Sequence, residues 1–267
     1  MLFDFAGTLL VPVPATEWVR EVTGALGRDL DEAAVAVADH DAVADHDAGA
    51  DHDAVGDLAA GVDLAARLEQ AGRPGGPEPA HVPPELAADY ARRDVSVQLH
   101  RSAYAGLLGS VTGPGSALTT ALYDAGTQPS GWTPYPDAGP TLAALHDDGV
   151  RIAVVSNVGF ELRAVFAGHG LAGLVDEWVL SCELGVMKPA AEIFTAALRQ
   201  LGVAAADALM VGDNPRADGG AVDVGIRTLV LPYSPARQPH GLAAVLDLVR
   251  GDAGRRPTPG GPPHPDA

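Results

Sequence analysis

The chain opens with a short apolar run that ends in an aspartate, Asp4, and a Gly-Thr pair follows at residues 7 and 8. This pattern predicts a buried strand that delivers the Asp4 carboxylate to a tight turn at its carboxyl end. In open α/β sheets, ligands bind at that edge. Taken alone, Asp4 also fits an aspartate that merely caps a turn before Gly-Thr. Asp4 therefore indicates a ligand-binding site only if other predicted strands also end in polar residues.

Two later apolar stretches also end in polar residues. Ser156 and Asn157 follow residues 152–155, and Asp213 follows residues 209–212, with Asp218 five residues farther on. Ser156 and Asp218 also fit ordinary helix-start positions. If the three strand ends share one sheet edge, however, the carboxylates converge with Asp4 into an oxygen-rich site of the kind that binds Mg²⁺.

Lys188 stands directly before Pro189, a pair that suits the first turn of a helix. An ammonium group at that place can neutralise charge that develops on a phosphoryl group. A surface lysine is the ordinary alternative. Lys188 is the only lysine in the sequence, which favours a specific role.

From Pro136 onward, predicted strands and helices alternate, which indicates a doubly wound, Rossmann-like parallel sheet of the α/β class. Residues 14–129 have mainly helical patterns, so we expect them to form an inserted helical cap on a core made of residues 1–13 and 130–250. Residues 251–267 are rich in Pro and Gly and predict a disordered tail. The predicted strands are 151–155, 177–180, 208–211 and 227–231, and the predicted helices include 57–71, 84–108, 137–148, 160–169, 190–201, 217–224 and 241–249.

A repeat of Ala, Asp and His occupies residues 38–55 and carries His40, His46 and His52. A six-residue step on a helix turns each histidine by about 600°, so the three would point roughly 120° apart and share no face. Ala, Asp and Gly also disfavour a strand. We therefore interpret the repeat as a solvated segment rather than a metal site.

Composition narrows the class of partner. The 267-residue chain has a net charge of −18, which argues against binding the phosphate backbone of nucleic acids. The sequence contains no long apolar run and no secretory signal pattern, so no membrane association is expected. Cys182 is the only cysteine, which predicts no intrachain disulfide and a reducing, cytoplasmic location.

Over residues 1–25 and 130–250 the chain resembles the haloacid dehalogenase-like hydrolase superfamily, through the motifs at 4–8, 155–157, 183–189 and 211–218. The resemblance implies a hydrolase that acts on a small phosphorylated metabolite, with Asp4 attacking phosphorus to give an aspartyl-phosphate. It implies Mg²⁺ held by Asp4, the Ala6 carbonyl and Asp213, with Asp218 in support. Oligomeric state and substrate identity stay open. The implied phosphoryl and substrate contacts are Ser156, Lys188, Thr8 and Asn157.

Ala6 departs from the family pattern, because phosphatases of the superfamily usually carry a second aspartate there. That carboxyl would protonate the leaving oxygen, help that is typically worth about 10²–10⁴ in rate. His100 and Tyr104 lie at positions i and i+4 of a predicted helix and are candidates to replace it. A packing pair on the helix face is the interpretation that we favour for them.

Three alternatives follow from this departure. A 2-haloacid dehalogenase would use Asp4, Ser156, Asn157 and Lys188 without metal, but the carboxylates of the 213–218 segment would then repel Asp4 without a cation. A phosphonate-cleaving enzyme needs a cap lysine, and residues 14–129 contain none. A non-catalytic module that binds a phosphorylated metabolite would keep the same residues without turnover.

Overall fold

A computed structural model describes residues 1–27 and 54–253 of the chain. Its centre is a five-stranded sheet in the order β5-β4-β1-β6-β7, and every pair of neighbouring strands is parallel. A separate two-stranded antiparallel sheet pairs β2 with β3. The prediction of a doubly wound α/β fold is confirmed. The strands are β1 (Leu2–Phe3), β2 (Leu10–Pro12), β3 (Trp132–Pro134), β4 (Ala153–Ser156), β5 (Glu177–Leu180), β6 (Leu209–Gly212) and β7 (Arg227–Val230).

The segment between β2 and β3 is helical in its described part. It holds its own cluster of buried side chains, which includes Trp18, Leu68, Leu107 and Leu122. The sequence did not predict the β2–β3 pair, which joins the two ends of this segment in antiparallel register. The boundaries of a cap at residues 14 and 129 stay a prediction. The helices are α1 (Ala15–Ala25), α2 (Ala54–Ala71), α3 (Ala87–Ala91), α4 (Val97–Thr112) and α5 (Ala117–Gly126).

One predicted helix is wrong in extent. The pattern over residues 84–108 predicted a continuous helix, but the structure has α3, then a 3₁₀ turn at Arg93–Val95, and then α4. The break has a local cause. Ser96 has extended backbone and its hydroxyl accepts a hydrogen bond from the Leu99 amide at 3.2 Å, so a new helix starts there.

The remaining helices flank the parallel sheet. Residues 217–224 form a 3₁₀ helix, Asp218–Val224, instead of the predicted α-helix, because the adjacent glycines at 219 and 220 are poor α-helix formers. The last helix continues to Ala253, so the predicted tail begins three residues too early. The flanking helices are α6 (Ala138–Asp147), α7 (Leu162–Gly168), α8 (Ser181–Leu184), α9 (Ala191–Leu201) and α10 (Ala243–Ala253).

Side chains along the strands point alternately to the two faces of the sheet, so the buried residues form two clusters, one on each face. Phe3 and Val154 belong to one buried cluster, while Leu2 and Val155 belong to the other, because successive strand residues point to opposite faces. Both clusters consist of side chains with almost no exposure. The sheet is therefore covered on both faces, and its chemistry is confined to the strand ends.

Two predicted segments fall largely outside the described residues: the Asp/His repeat from 38 to 53 and the tail from 254 onward. Within residues 1–27 and 54–253, no helix has the combination of length and apolar character that crossing a bilayer requires.

Asp137 connects the start of α6 to the segment before α10 through hydrogen bonds. Its carboxylate accepts hydrogen bonds from the backbone amides of His240, Gly241 and Leu242, each at 2.9 Å. The net contribution of one hydrogen bond to stability, after exchange with water, is about 0.5–1.5 kcal/mol and is larger when one partner is charged. The contact holds the last helix against the sheet.

We expect Asp137→Ala to lower the free energy of unfolding by roughly 1–3 kcal/mol, because these amides lose their acceptor. Asp148→Ala is the control: it removes an exposed ion pair with Arg250 at the other end of α6, where pairs contribute about 0–1 kcal/mol. Urea unfolding monitored by circular dichroism measures both. Equal losses in the two variants would contradict the role given to Asp137.

Candidate active site

The strand order brings the polar residues that follow three of the strands to one edge of the sheet. β1 lies between β4 and β6, so Asp4 after β1 is flanked by Ser156 and Asn157 on one side and by Asp213 on the other. The Asp4 amide donates to the Val211 carbonyl at 2.9 Å, which continues the pairing to the end of the strand. All four of these side chains line one cavity of about 360 Å³.

Lys188 is buried beside two carboxylates. Its Nζ lies 2.7 Å from Asp4 Oδ1 and 2.6 Å from Asp218 Oδ1. The Lys188 side chain is only 2% exposed, and Asp218 is fully buried. Charged groups are almost never this buried unless they are paired. The lone lysine of the sequence is therefore a fixed part of the strand-end cluster.

Asn157 holds the backbone of this lysine. Its Oδ1 accepts from the Lys188 amide at 2.7 Å, and its Nδ2 donates to the Lys188 carbonyl at 3.0 Å. The end of β4 and the loop before α9 are thus joined by two hydrogen bonds. Asn157 consequently sets the place from which the Lys188 ammonium reaches Asp4.

Asp218 lies behind the lysine rather than at the cavity surface. One carboxylate oxygen accepts from Lys188, and the other accepts from the Asn214 amide at 2.9 Å. Both oxygens are therefore engaged, and one contact shapes the turn after β6. Asp4, Asp213 and Asp218 still each offer an oxygen that lies within 4.8 Å of the others, a spacing that suits a shared cation.

The acidic groups of the cluster perturb one another. Burial raises the pKa of the Asp213 carboxyl to about 7, and the charges of Asp4 and Asp218 add to the effect. Burial likewise raises the pKa of Asp4, and Asp218 adds to this while Lys188 opposes it. Burial alone would lower the pKa of Lys188, but Asp4 and Asp218 raise it above its usual range. One ammonium thus faces three acidic groups, and hard oxygen donors with surplus negative charge fit a divalent cation such as Mg²⁺.

The turn after Asp4 is tightly packed. Gly7 has φ +79°, and a Cβ there would collide with the Asp213 carboxylate, so glycine is required. Ala6 lines the cavity beside it. The structure does not bring Thr8 to the cavity: its side chain is fully buried, and its hydroxyl has no hydrogen-bond partner among the described residues.

His100 and Tyr104 line the cavity from α4 and pack against each other, with ring centroids 4.6 Å apart. His100 Nδ1 lies 2.8 Å from the Tyr123 hydroxyl, and burial lowers the pKa of the imidazole to about 3. Burial raises the pKa of Tyr104 to about 12. At these pKa values neither group exchanges a proton near neutral pH, and their role as substrate contacts stays a prediction.

Sequence reasoning missed the charged residues that the helical segment contributes to the cavity. Arg93 and Asp94 come from the 3₁₀ turn between α3 and α4, and Glu78 comes from the loop after α2. The only sequence signal was a charged Arg-Arg-Asp run inside a stretch that was predicted to be a continuous helix. Apolar walls were missed as well, and these include Phe5, Trp132 and Phe160.

Comparison with known proteins assigns the family. The family model for haloacid dehalogenase-like hydrolases matches residues 1–222. The chain belongs to the haloacid dehalogenase-like hydrolase family, and the prediction of a hydrolase from its motifs is confirmed. A crystal structure of a dehalogenase superposes with a TM-score of 0.58 at 22% identity and covers 92% of this chain and 95% of its own, which shows the shared fold.

Relatives of known activity match about half of the chain. The ribulose-1,5-bisphosphate 5-phosphatase of Halopiger xanaduensis is 39% identical over 130 residues, which are 45% of this chain and 52% of that protein. The phosphoglycolate phosphatase of Rhodospirillum rubrum is 36% identical over 138 residues, 49% of this chain and 57% of that protein. The chain thus spans little more than half the length of these relatives.

We expect Lys188→Met to lower the free energy of unfolding by about 3–5 kcal/mol, because it leaves the buried Asp4 and Asp218 carboxylates without their partner. Arg199→Met, an exposed change on α9, should be nearly neutral. Guanidinium unfolding curves of the two variants make the comparison. A loss below 1 kcal/mol for Lys188→Met would show that the ammonium is not needed to hold the carboxylates in place.

Proposed function

We propose that the protein is a magnesium-dependent phosphatase that acts on a small phosphorylated metabolite through an aspartyl-phosphate. The observation that carries the proposal is the buried pairing of Lys188 with Asp4, next to the carboxylate of Asp213. The phosphatase activities of the relatives from Halopiger xanaduensis and Rhodospirillum rubrum support the same class of reaction.

Asp4 is the nucleophile in this proposal. Its carboxylate lies at the cavity, and the Lys188 ammonium at 2.7 Å favours the ionised form that attack requires. Lys188 also supplies positive charge to the phosphoryl oxygens as negative charge builds up on them. The Ser156 hydroxyl and the loop at Asn157 line the same cavity and complete the phosphoryl pocket.

Asp4, Asp213 and the Ala6 carbonyl are the ligands that we assign to Mg²⁺. Asp218, whose two oxygens are already engaged, supports the site by holding Lys188 and the Asn214 amide. When bound, the cation supplies charge that offsets the carboxylates and binds phosphoryl oxygens. The raised pKa of Asp213, about 7, fits a ligand whose negative charge lacks a partner within the protein.

The cavity and the charge of the chain define the partner. A volume of about 360 Å³ accommodates a small molecule and lies in the usual range for such sites. A net charge of −18 disfavours nucleic acid, and we propose no membrane partner. The single cysteine fits a reducing compartment, which we take to be the cytoplasm.

We expect hydrolysis of p-nitrophenyl phosphate and acetyl phosphate that requires Mg²⁺ and is abolished by Asp4→Asn, because the amide is a poor nucleophile. Asp247→Asn, an exposed change on α10, is the matched control and should retain full activity. Phosphate release with and without a chelator measures the effect. Halide release from 2-haloacids without metal would instead identify a dehalogenase, and phosphate binding without turnover would identify a binding module.

Mg²⁺ should also stabilise the fold. At a concentration 100 times its Kd, a ligand that binds only the native state adds about 2.7 kcal/mol, which corresponds to a rise in Tm of roughly 5–10 °C for a domain of this size. Asp213→Asn should remove most of this rise because it deletes a ligand, whereas the exposed Asp223→Asn should not. Differential scanning fluorimetry with Mg²⁺ titration tests it. An unchanged rise in Asp213→Asn would refute the assigned ligand set.

A further inference from the structure

Asp94 is an acidic side chain of the helical segment that faces the strand-end cavity. It lies on the 3₁₀ turn Arg93–Val95 and lines the same cavity as Asp4. Asp94 is 7% exposed, so the cavity is its route to solvent. Two ionisable side chains lie near its carboxylate oxygens: Arg93, with Nε at 3.6 Å, and His100, with Nε2 at 3.9 Å. Both distances exceed those of a hydrogen bond.

The backbone of Asp94 is anchored to the sheet. The Ser181 hydroxyl, at the start of α8, donates to the Asp94 carbonyl at 2.5 Å. The same Ser181 oxygen accepts from the Val158 amide at 2.9 Å, directly after the Ser156-Asn157 pair. The side chain of Ser181 is fully buried. A continuous hydrogen-bonded path therefore sets the position of Asp94 relative to the loop that holds Lys188.

We propose, on the basis of the phosphatase function above, that Asp94 is the catalytic group that protonates the leaving oxygen and then activates water. A metabolite alcohol leaves as a strongly basic alkoxide unless it receives a proton as the phosphorus–oxygen bond breaks. Ala6 offers no carboxyl for this purpose. Asp94 supplies one from the helical segment, which lines the same cavity.

The other carboxyl groups and the histidine that line the cavity are less suited to this role. Asp4 is paired with Lys188, and Asp213 belongs to the proposed metal site. Glu78 is 78% exposed and accepts a hydrogen bond from the Tyr90 hydroxyl at 2.7 Å. His100 has a pKa lowered to about 3 by burial, so it carries no additional proton near neutral pH.

The surroundings of Asp94 keep both of its protonation states accessible. Burial raises its pKa to about 6, the nearby Arg93 opposes this, and Glu78 and Asp4 add to it. Lys188 also lowers its pKa from the sheet side. The further titratable groups that face Asp94 are His100, Tyr104, Tyr123 and Cys182. An acid with a pKa near the working pH can both donate and accept a proton.

Hydrolysis proceeds in two steps. An Asp4 carboxylate oxygen bonds to phosphorus while the phosphorus–ester oxygen bond breaks, and the neutral Asp94 carboxyl transfers its proton to that oxygen, which leaves as the alcohol. A water oxygen then attacks the same phosphorus and gives one proton to the Asp94 carboxylate. The Asp4–phosphorus bond breaks, inorganic phosphate leaves, and both aspartates return to their starting states.

Asp94→Asn tests this assignment through the dependence on leaving group. We expect kcat/KM for phenyl phosphate, whose leaving group is poor, to fall about 10²–10⁴-fold. The value for 2,4-dinitrophenyl phosphate should fall much less, because that leaving group departs without a proton. Retained hydrolysis of the dinitrophenyl ester also shows that the variant is folded. The control is Asp63→Asn, an exposed change on α2, which should alter neither value.

The pH profile separates proton transfer from a structural role. Dividing the wild-type kcat/KM by that of Asp94→Asn on phenyl phosphate cancels the ionisation of the substrate. This ratio should be largest below pH 6, where Asp94 is protonated, and should decline above it. A ratio that does not change with pH would overturn the proposal.

The double variant Ala6→Asp with Asp94→Asn provides a rescue that does not depend on residue 94. A carboxyl at position 6 should restore at least part of the lost activity on phenyl phosphate. Equal losses on both esters in Asp94→Asn, or no loss on either, would overturn the role of Asp94. The phosphatase proposal would still hold if hydrolysis by the wild-type protein required both Mg²⁺ and Asp4. If the wild-type protein hydrolysed neither ester with Mg²⁺, both proposals would fail.

Discussion

The contact between the Lys188 ammonium and the carboxylates of Asp4 and Asp218 is the interaction on which the site depends. Each of these groups is buried, and removing a charge from water costs several kcal/mol unless a partner compensates it. The three groups therefore stabilise one another only in this arrangement. The sheet supplies the arrangement because β1 lies between β4 and β6, and the Asn157 side chain fixes the lysine backbone from the end of β4.

The same cluster supports the cation that we propose for this site. Lys188 is paired with two carboxylates, and within residues 1–27 and 54–253 no cationic side chain lies at a comparable distance from Asp213. The pKa of Asp213 rises to about 7 in consequence of burial and of its acidic neighbours. A metal-free reaction would have to tolerate this repulsion at the point where a negatively charged substrate arrives. A divalent cation would both offset the repulsion among the carboxylates and attract a negatively charged substrate.

Much of the fold and the strand-end cluster could be predicted from sequence because both rest on short-range signals. An apolar run that ends in Asp4, Ser156 or Asp213 predicts a strand and also places the polar residue at its carboxyl end. Because the strands are parallel, these ends meet at one edge of the sheet. The helix break at Ser96 was missed because a helical pattern continues across it, and the only local signal of the new helix is the single Ser96 hydroxyl that caps its start. The β2–β3 pair was missed because its strands are 3 residues long and contain prolines.

The charged residues that the helical segment contributes to the cavity could not be predicted from the sequence for a different reason. Whether Asp94 faces solvent or the cavity depends on how a 3₁₀ turn meets α8, a contact between residues 87 positions apart in the chain. Periodicity carries no information about such a contact. His100 and Tyr104 had the regular spacing that attracts attention, yet burial moves their pKa values away from neutrality. Regular helical spacing is a property of packing surfaces, whereas a group that exchanges protons must lie where packing is interrupted and water or substrate can reach it. The interrupted helix at residues 92–96 is such a place, and Asp94, to which we assign the role of acid, lies in it.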